Sequence, residues 1–126
     1  MHWIVTLGIT LGLLATPVVS SAHHLPTTYC SPSGDICLST ANVHGVRKLR
    51  ISLAARYFSR YRLCVTAPDD IVTCREFRVR RHGPVLSSSI RWAARFPPSG
   101  HGKYDVRWQS LPGATRVGRI LGFHVL

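Results

Sequence analysis

The chain has 126 residues, a length that leaves room for one domain rather than several. Its 16 Lys and Arg outnumber 5 Asp and Glu, for a formal net charge of +11 at pH 7 and a sequence pI of about 10.8. All of these charged residues follow residue 22, so any exported domain carries the whole excess. A domain of this size can bury a core, but it gains stability from cross-links.

The N-terminus has the pattern of a secretory signal peptide. Residues 3–19 are almost uninterruptedly apolar, and Ser20 and Ala22 occupy the −3 and −1 positions of a cleavage site. The pair Met1-His2 supplies no Lys or Arg, which departs from the pattern, so an uncleaved anchor helix is the alternative. The apolar segment 3–19 is short for a transmembrane helix, which needs about 20 residues. We predict a signal peptide over 1–22, no transmembrane helix after cleavage, and a secreted, extracellular or cell-envelope-associated protein.

The rest of the chain has the period of β-strands. Residues 23–35 are rich in His, Pro, Thr, Ser and Gly, and we predict an irregular leader there, followed by a domain over 36–126. The segment 53–60 is the best helical candidate and fits a single turn between strands. Apolar and polar side chains alternate over seven short runs: 36–39, 46–54, 60–66, 74–79, 89–96, 103–108 and 117–125. This pattern predicts an all-β fold, a seven-stranded antiparallel two-sheet sandwich.

The segment GKYDVRW resembles a motif of immunoglobulin-like and fibronectin-III-like sandwiches in small secreted bacterial proteins. Gly102, Tyr104, Val106 and Trp108 match its G-x-Y-x-V-x-W pattern. Val106 stands where antibody domains carry a cysteine, so the resemblance implies no inter-sheet disulfide. It implies an immunoglobulin-like fold and no particular activity.

The four cysteines form an even, pairable set in an exported chain. Cys30 and Cys37 have six residues between them, and Cys64 and Cys74 have nine. Neither spacing fits the C-x2–4-C of structural zinc sites or the C-x-x-C of redox centres. We predict disulfides 30–37 and 64–74, with the two crossed pairings as alternatives.

One hairpin register supports the 64–74 pair. A turn centred on Asp69 places Cys64 opposite Cys74. The same register sets Arg62 opposite Glu76, and Tyr61 opposite Phe77, one pair on each face of the hairpin. For the other pair, the segment SPSG has the composition of a type I turn.

A copper site is the sharpest alternative in the sequence. Cleavage after Ala22 would expose His23 at the mature N-terminus, whose amine and imidazole can chelate Cu(II), and cleavage one residue earlier would place His24 third. The first arrangement resembles the histidine brace of periplasmic copper carriers of the CopC type and of lytic polysaccharide monooxygenases. Candidates for a third ligand are His44, His82, His101 and His124. None of the four falls in a recognisable motif, and solvated His-rich peptide is the competing interpretation.

Catalytic templates are missing from the sequence. It contains no G-x-S-x-G elbow. Asp69 and Asp70 suit a turn, and Glu76 suits a cross-strand partner of Arg62. We therefore predict no enzyme and no cofactor, with a small secreted toxin or nuclease as a further hypothesis.

The basic residues give the strongest functional indication. All but Lys48 and Lys103 are arginines, and five of them occupy outward positions of the strand alternation: Arg50, Arg62, Arg91, Arg95 and Arg107. Arginine forks onto phosphate and carboxylate. These residues predict a surface for anionic cell-wall polymer, lipid headgroups or another polyanion. The alternative is that outward strand positions are polar in any sandwich. Trp92 and Trp108 face inward, where they cannot stack on bases, so we expect no sequence-specific nucleic-acid binding.

Overall fold

The computed structural model describes Gly12 and residues 25–126. The predicted signal peptide and its cleavage site, apart from Gly12, lie outside the described residues, as do His23 and His24. Ten strands and one helical turn follow in chain order: β1 (Thr28–Cys30), β2 (Ile36–Ser39), β3 (Asn42–Val43), β4 (Val46–Leu53), β5 (Arg60–Thr66), β6 (Val72–Arg78), β7 (Arg80–His82), β8 (Val85–Arg91), α1 (Trp92–Arg95), β9 (Gly102–Ser110) and β10 (Thr115–Val125).

The strands form two antiparallel sheets, which confirms the predicted all-β sandwich. The first sheet has six strands in the order β1-β2-β4-β8-β7, with β3 paired to β4. The second has four strands in the order β10-β9-β5-β6. Within the described residues, no helix is long and apolar enough to cross a membrane.

The structure has three short strands that the sequence pattern does not predict, and it has no helix in the predicted helical candidate. Residues 28–30, inside the predicted irregular leader, form β1 because a short turn lets them pair with β2 in register. Strands β3 and β7 are two and three residues long, too short to show an alternation in the sequence. The segment 53–60 forms no helix and instead bends, with the amide of Tyr57 donating to the carbonyl of Ala55.

The predicted strand over 89–96 is wrong in its second half. Strand β8 ends at Arg91, and Trp92–Arg95 form one helical turn closed by the amide of Phe96 donating to the carbonyl of Trp92 at 2.9 Å. Trp92 and Phe96 are both buried. Residues four apart share one face of a helix and also one face of a strand, so the apolar spacing alone fits either structure.

The core lies between the two sheets. Leu49, Ile51 and Leu53 of β4 pack from one side, and Tyr61, Leu63 and Val65 of β5 pack from the other. Burying side chains of this size stabilises the fold by about 1.5–3 kcal/mol each. The alternation predicted for 46–54 and 60–66 therefore identifies the inner faces correctly.

The motif residues Tyr104, Val106 and Trp108 of β9 are fully buried. The Tyr104 hydroxyl donates to the carbonyl of Gly100 at 2.7 Å and accepts from the amide of Ser99 at 2.9 Å. These bonds fix the loop before β9 to the core, so this stretch of the motif has a structural role.

Candidate polyanion-binding surface

The structure places the five predicted arginines on three different parts of the molecule. Arg50 and Arg91 lie in β4 and β8 of the six-stranded sheet, whereas Arg62 and Arg107 lie in β5 and β9 of the four-stranded sheet. The outer faces of two packed sheets point in opposite directions. The five arginines therefore do not form one patch.

Arg95 is the residue whose predicted position is wrong. It was expected on the outer face of a strand, and it lies in the last position of α1. It is exposed there, but the helical turn separates it from the strand alternation that grouped it with Arg91.

The outer face of the six-stranded sheet is formed by residues that alternate with the buried core positions. Because directly paired residues share a face, the registers of β2, β4, β7 and β8 define this surface. Its basic side chains are Lys48, Arg50, Arg80 and Arg91, and its hydroxyl side chains include Ser39, Ser52, Ser87 and Ser89. None of the residues paired in these registers is Asp or Glu. The nearest carboxylate along the chain is Asp35, which directly precedes β2 and accepts a hydrogen bond from the Tyr57 hydroxyl. We call this surface the serine–arginine face.

Two basic residues lie directly opposite each other on the serine–arginine face. Lys48 of β4 pairs in register with Arg91 of β8, and Arg50 comes two residues further along β4. Like charges at directly opposed positions repel each other. Among the described residues, neither Lys48 nor Arg91 forms an ion pair. A bound anion would relieve this repulsion.

Hydroxyl groups accompany the cations on this face. The Arg50 Nε donates to Oγ of Ser89 at 3.3 Å, which holds the guanidinium along the sheet surface. A shallow cleft of about 500 Å³ runs over this region, lined by Arg50, His82 and the serines of β2, β4 and β8. Serine hydroxyls both donate and accept hydrogen bonds, so they can contact phosphate, sulfate or sugar oxygens.

The outer face of the four-stranded sheet is also basic, but it contains carboxylates. Arg62 Nη2 lies 3.4 Å from Oε1 of Glu76, and Lys103 Nζ lies 3.8 Å from Oδ1 of Asp105. The predicted pairing of Arg62 with Glu76 is thus confirmed. Exposed ion pairs of this kind contribute about 0–1 kcal/mol. They do neutralise part of the positive field on this side.

Both predicted disulfides are confirmed, and each lies on the outer face of one sheet. Cys30–Cys37 joins β1 to β2, and Cys64–Cys74 joins β5 to β6, in both cases between directly opposed residues. The described residues include no free cysteine. The four thiols are therefore used as cross-strand links.

The four histidines proposed as third copper ligands are dispersed over the fold. His44 lies in the turn between β3 and β4, His82 in β7, His101 just before β9 and His124 in β10. No group of three His, Cys, Asp or Glu side chains within residues 25–126 is arranged to hold a metal ion. Of the four, His124 lines a small cleft that is also lined by Leu25, the residue that follows His24 in the chain.

The sequence-based prediction of the basic surface did not include Lys48, Arg80 or the serines. The sequence does indicate an outward position for Lys48, because Lys48 alternates with the inward Leu49 in the 46–54 pattern. No such indication exists for Arg80, since β7 is too short to show a period. The chain matches no protein-family model, and comparison with curated proteins and with solved structures finds no significant match.

Proposed function

We propose that this protein is an exported, non-catalytic module that binds an anionic polymer across the serine–arginine face. The observation that carries the proposal is the opposition of Lys48 and Arg91 among paired strand positions that include no Asp or Glu. Repeated anions along a polymer would offset the repulsion between these cations, and the neighbouring serines would add hydrogen bonds. The net charge of +11 favours encounter with any polyanion.

Export is supported by the two disulfides and by the N-terminal pattern of the sequence. Disulfides persist in oxidising compartments and are rare in the cytosol. An anionic cell-wall polymer, a lipid headgroup layer or another extracellular polyanion would then be the accessible partner.

We also propose that the two sheets have an immunoglobulin-like topology. The strand orders β2-β4-β8-β7 and β10-β9-β5-β6 match an ABED sheet against a GFC sheet extended by one strand. The Tyr104 hydroxyl bonded to Gly100 is similar to the tyrosine corner of such sandwiches. This topology supports a binding module and implies no reaction.

Retention on immobilised lipoteichoic acid and on heparin across a salt series tests the polymer-binding proposal. The double variant Lys48→Gln/Arg50→Gln removes two positive charges from the serine–arginine face. The matched control Arg107→Gln/Arg116→Gln removes two from the other sheet, so the net charge is the same in both variants. We expect the first variant to elute at clearly lower salt than the control.

Two results would contradict this proposal. Equal losses in the two variants would mean that net charge, and not the serine–arginine face, determines retention. Retention that does not change with salt would exclude an electrostatic mode of binding.

Copper binding by His23 and His24 is the second candidate function. It is favoured by the small cleft that Leu25 and His124 both line, because Leu25 directly follows His24 in the sequence. The intact mass of the secreted protein gives the mature N-terminus, and a Cu(II) titration gives the affinity. We expect His124→Ala to weaken binding and the control His101→Ala to leave it unchanged. A mature chain that begins at a residue other than Ala22 or His23 would end this candidate.

A further inference from the structure

A second surface feature lies at one end of the sandwich. The β3–β4 turn, α1 and the end of β10 surround an open cleft of about 710 Å³. That volume falls within the range of small-molecule sites. We call it the end cleft. Part of its lining is apolar: Val46, Trp92, Ala93, Ala94, Val125 and Leu126.

The apolar wall of the end cleft is held firmly by an aromatic cluster. Trp92 is 7% exposed and packs edge-on against Tyr104 and Phe123, with ring centroids 4.8 and 5.1 Å away. Tyr104 and Phe123 are themselves stacked at 5.1 Å. Because Trp92 packs against Tyr104 and Phe123, the apolar wall needs little reorganisation to accept a ligand. A pre-formed site of this kind has a smaller free-energy cost for ordering side chains on binding.

Two arginines line the same cleft. The Arg47 guanidinium lies over the Phe123 ring, 4.8 Å from its centroid, and Nη1 donates to the carbonyl of Thr40 at 2.7 Å. Burial lowers the pKa of Arg47 from its ordinary value. Arg91 is exposed at the rim.

The lining of the end cleft offers no acidic side chain to offset these charges. None of the residues that line the end cleft is Asp or Glu, and within the described residues neither Arg47 nor Arg91 forms an ion pair. A partly buried cation without a counter-ion favours the arrival of an anion. An apolar wall beside such a cation fits a ligand that has an apolar part and a negatively charged group.

We propose that the end cleft binds a single-chain anionic amphiphile, a fatty-acid carboxylate with its alkyl chain along Trp92 and its head at Arg47 and Arg91. This site goes beyond the polymer-binding function. It is built at the end of the sandwich and shares only Arg91 with the serine–arginine face.

Tryptophan fluorescence and calorimetry with decanoate, below the concentration at which it forms micelles, test the proposal. Among the described tryptophans, Trp108 is fully buried and Trp92 lines the cleft, so a change in emission reports on Trp92. We expect saturable binding of one decanoate per chain. Decanol lacks the charge and acetate lacks the chain, so both are expected to bind at least about tenfold more weakly.

Two variants locate the binding. Ala94→Phe adds a ring on exposed α1, where it fills the cleft without entering the core, and we expect it to abolish decanoate binding. Its control, Ala55→Phe, adds the same ring in the exposed loop between β4 and β5. Arg91→Gln is expected to weaken binding about tenfold, the loss for one charge-assisted hydrogen bond. Its control is Arg56→Gln, also in that loop.

Absence of decanoate binding, or equal binding by Ala94→Phe and the unmodified chain, would overturn the proposal. Decanol binding as tightly as decanoate would overturn the role of the arginines. Retention on lipoteichoic acid is measured independently and is expected to be unchanged in Ala94→Phe, so failure of this proposal is distinguishable from failure of the polymer-binding one.

Discussion

The Tyr61 hydroxyl in β5 donates a 2.7 Å hydrogen bond to Oγ of Ser88 in β8, joining the two sheets through the core. Tyr61 is fully buried, and this burial raises its pKa to about 12, although the bond to Ser88 acts in the opposite direction. A hydroxyl in an apolar interior needs such a partner, because an unpaired one costs about 1–3 kcal/mol. Ser88 therefore satisfies the hydrogen-bonding requirement of the buried Tyr61 hydroxyl.

The buried Tyr61 makes the fold sensitive to alkaline pH. Its folded pKa of about 12 lies above the value of about 10 in the unfolded chain, so the folded state holds the proton more tightly. Its contribution is complete below about pH 10 and falls as the pH rises towards 12. We expect a loss of about 2–3 kcal/mol over this range. Urea unfolding at a series of pH values measures it.

Tyr61→Phe is the control for the alkaline effect. It removes the titrating hydroxyl, so the additional loss between pH 10 and 12 should vanish, while stability at pH 7 falls by about 1–3 kcal/mol because Ser88 loses its partner. Tyr57→Phe, at an exposed tyrosine bonded to Asp35, should keep the alkaline loss. An unchanged pH profile in Tyr61→Phe would contradict the assignment.

Each of the two disulfides should add about 2–3 kcal/mol to the free energy of unfolding, because each closes a loop and so lowers the conformational entropy of the unfolded chain. The double variants Cys30→Ala/Cys37→Ala and Cys64→Ala/Cys74→Ala should lower the free energy of unfolding by this amount. Denaturant unfolding of both variants and of the reduced protein measures it. Intact mass should show the unmodified protein four hydrogens lighter than its fully reduced form. An unchanged stability in either variant would contradict the prediction.

Gly118 is expected to tolerate no side chain. Its φ is +66°, and a Cβ there would lie 2.7 Å from Cε1 of Tyr29 and 2.9 Å from Cδ1 of Leu38. Gly118→Ala should cost at least about 2 kcal/mol, from left-handed strain together with overpacking. Gly113→Ala is the matched control, because its Cβ would meet only Oγ1 of Thr115 at 3.4 Å. Thermal unfolding compares the two, and equal melting temperatures would contradict the prediction.

The buried Thr40 links the sheets at their edge. Its Oγ1 donates to the carbonyl of Gly122 in β10 at 2.9 Å and lies 3.3 Å from the carbonyl of Thr27. Thr40→Val keeps the shape and removes the donor, so we expect a loss of about 1–3 kcal/mol. Thr40→Ser keeps the hydroxyl and should lose less. Urea unfolding measures both variants, and a Thr40→Val chain as stable as the unmodified protein would contradict the role of the hydrogen bond.

The sequence pattern correctly identified the buried faces of β4 and β5, and it favoured the two cysteine pairs that the structure contains over the two crossed alternatives. The alternation of Leu49, Ile51 and Leu53 with polar residues reports which side is buried, because strand periodicity is local. The hairpin pairing of Tyr61 with Phe77 is similarly local, since a short turn fixes register over few residues. These features depend on neighbours in the chain, and they were predicted correctly.

The tertiary structure alone decided which cations share a surface. Lys48 and Arg91 are far apart in sequence and become neighbours only because β4 pairs with β8. The end cleft likewise needs the β3–β4 turn, α1 and β10 together. The period of 89–96 could not reveal that Trp92–Arg95 turn helical, because residues four apart share a face in either structure. Strand order is set by packing over the whole chain, so local pattern determines the sheet faces and long-range pairing determines the surfaces.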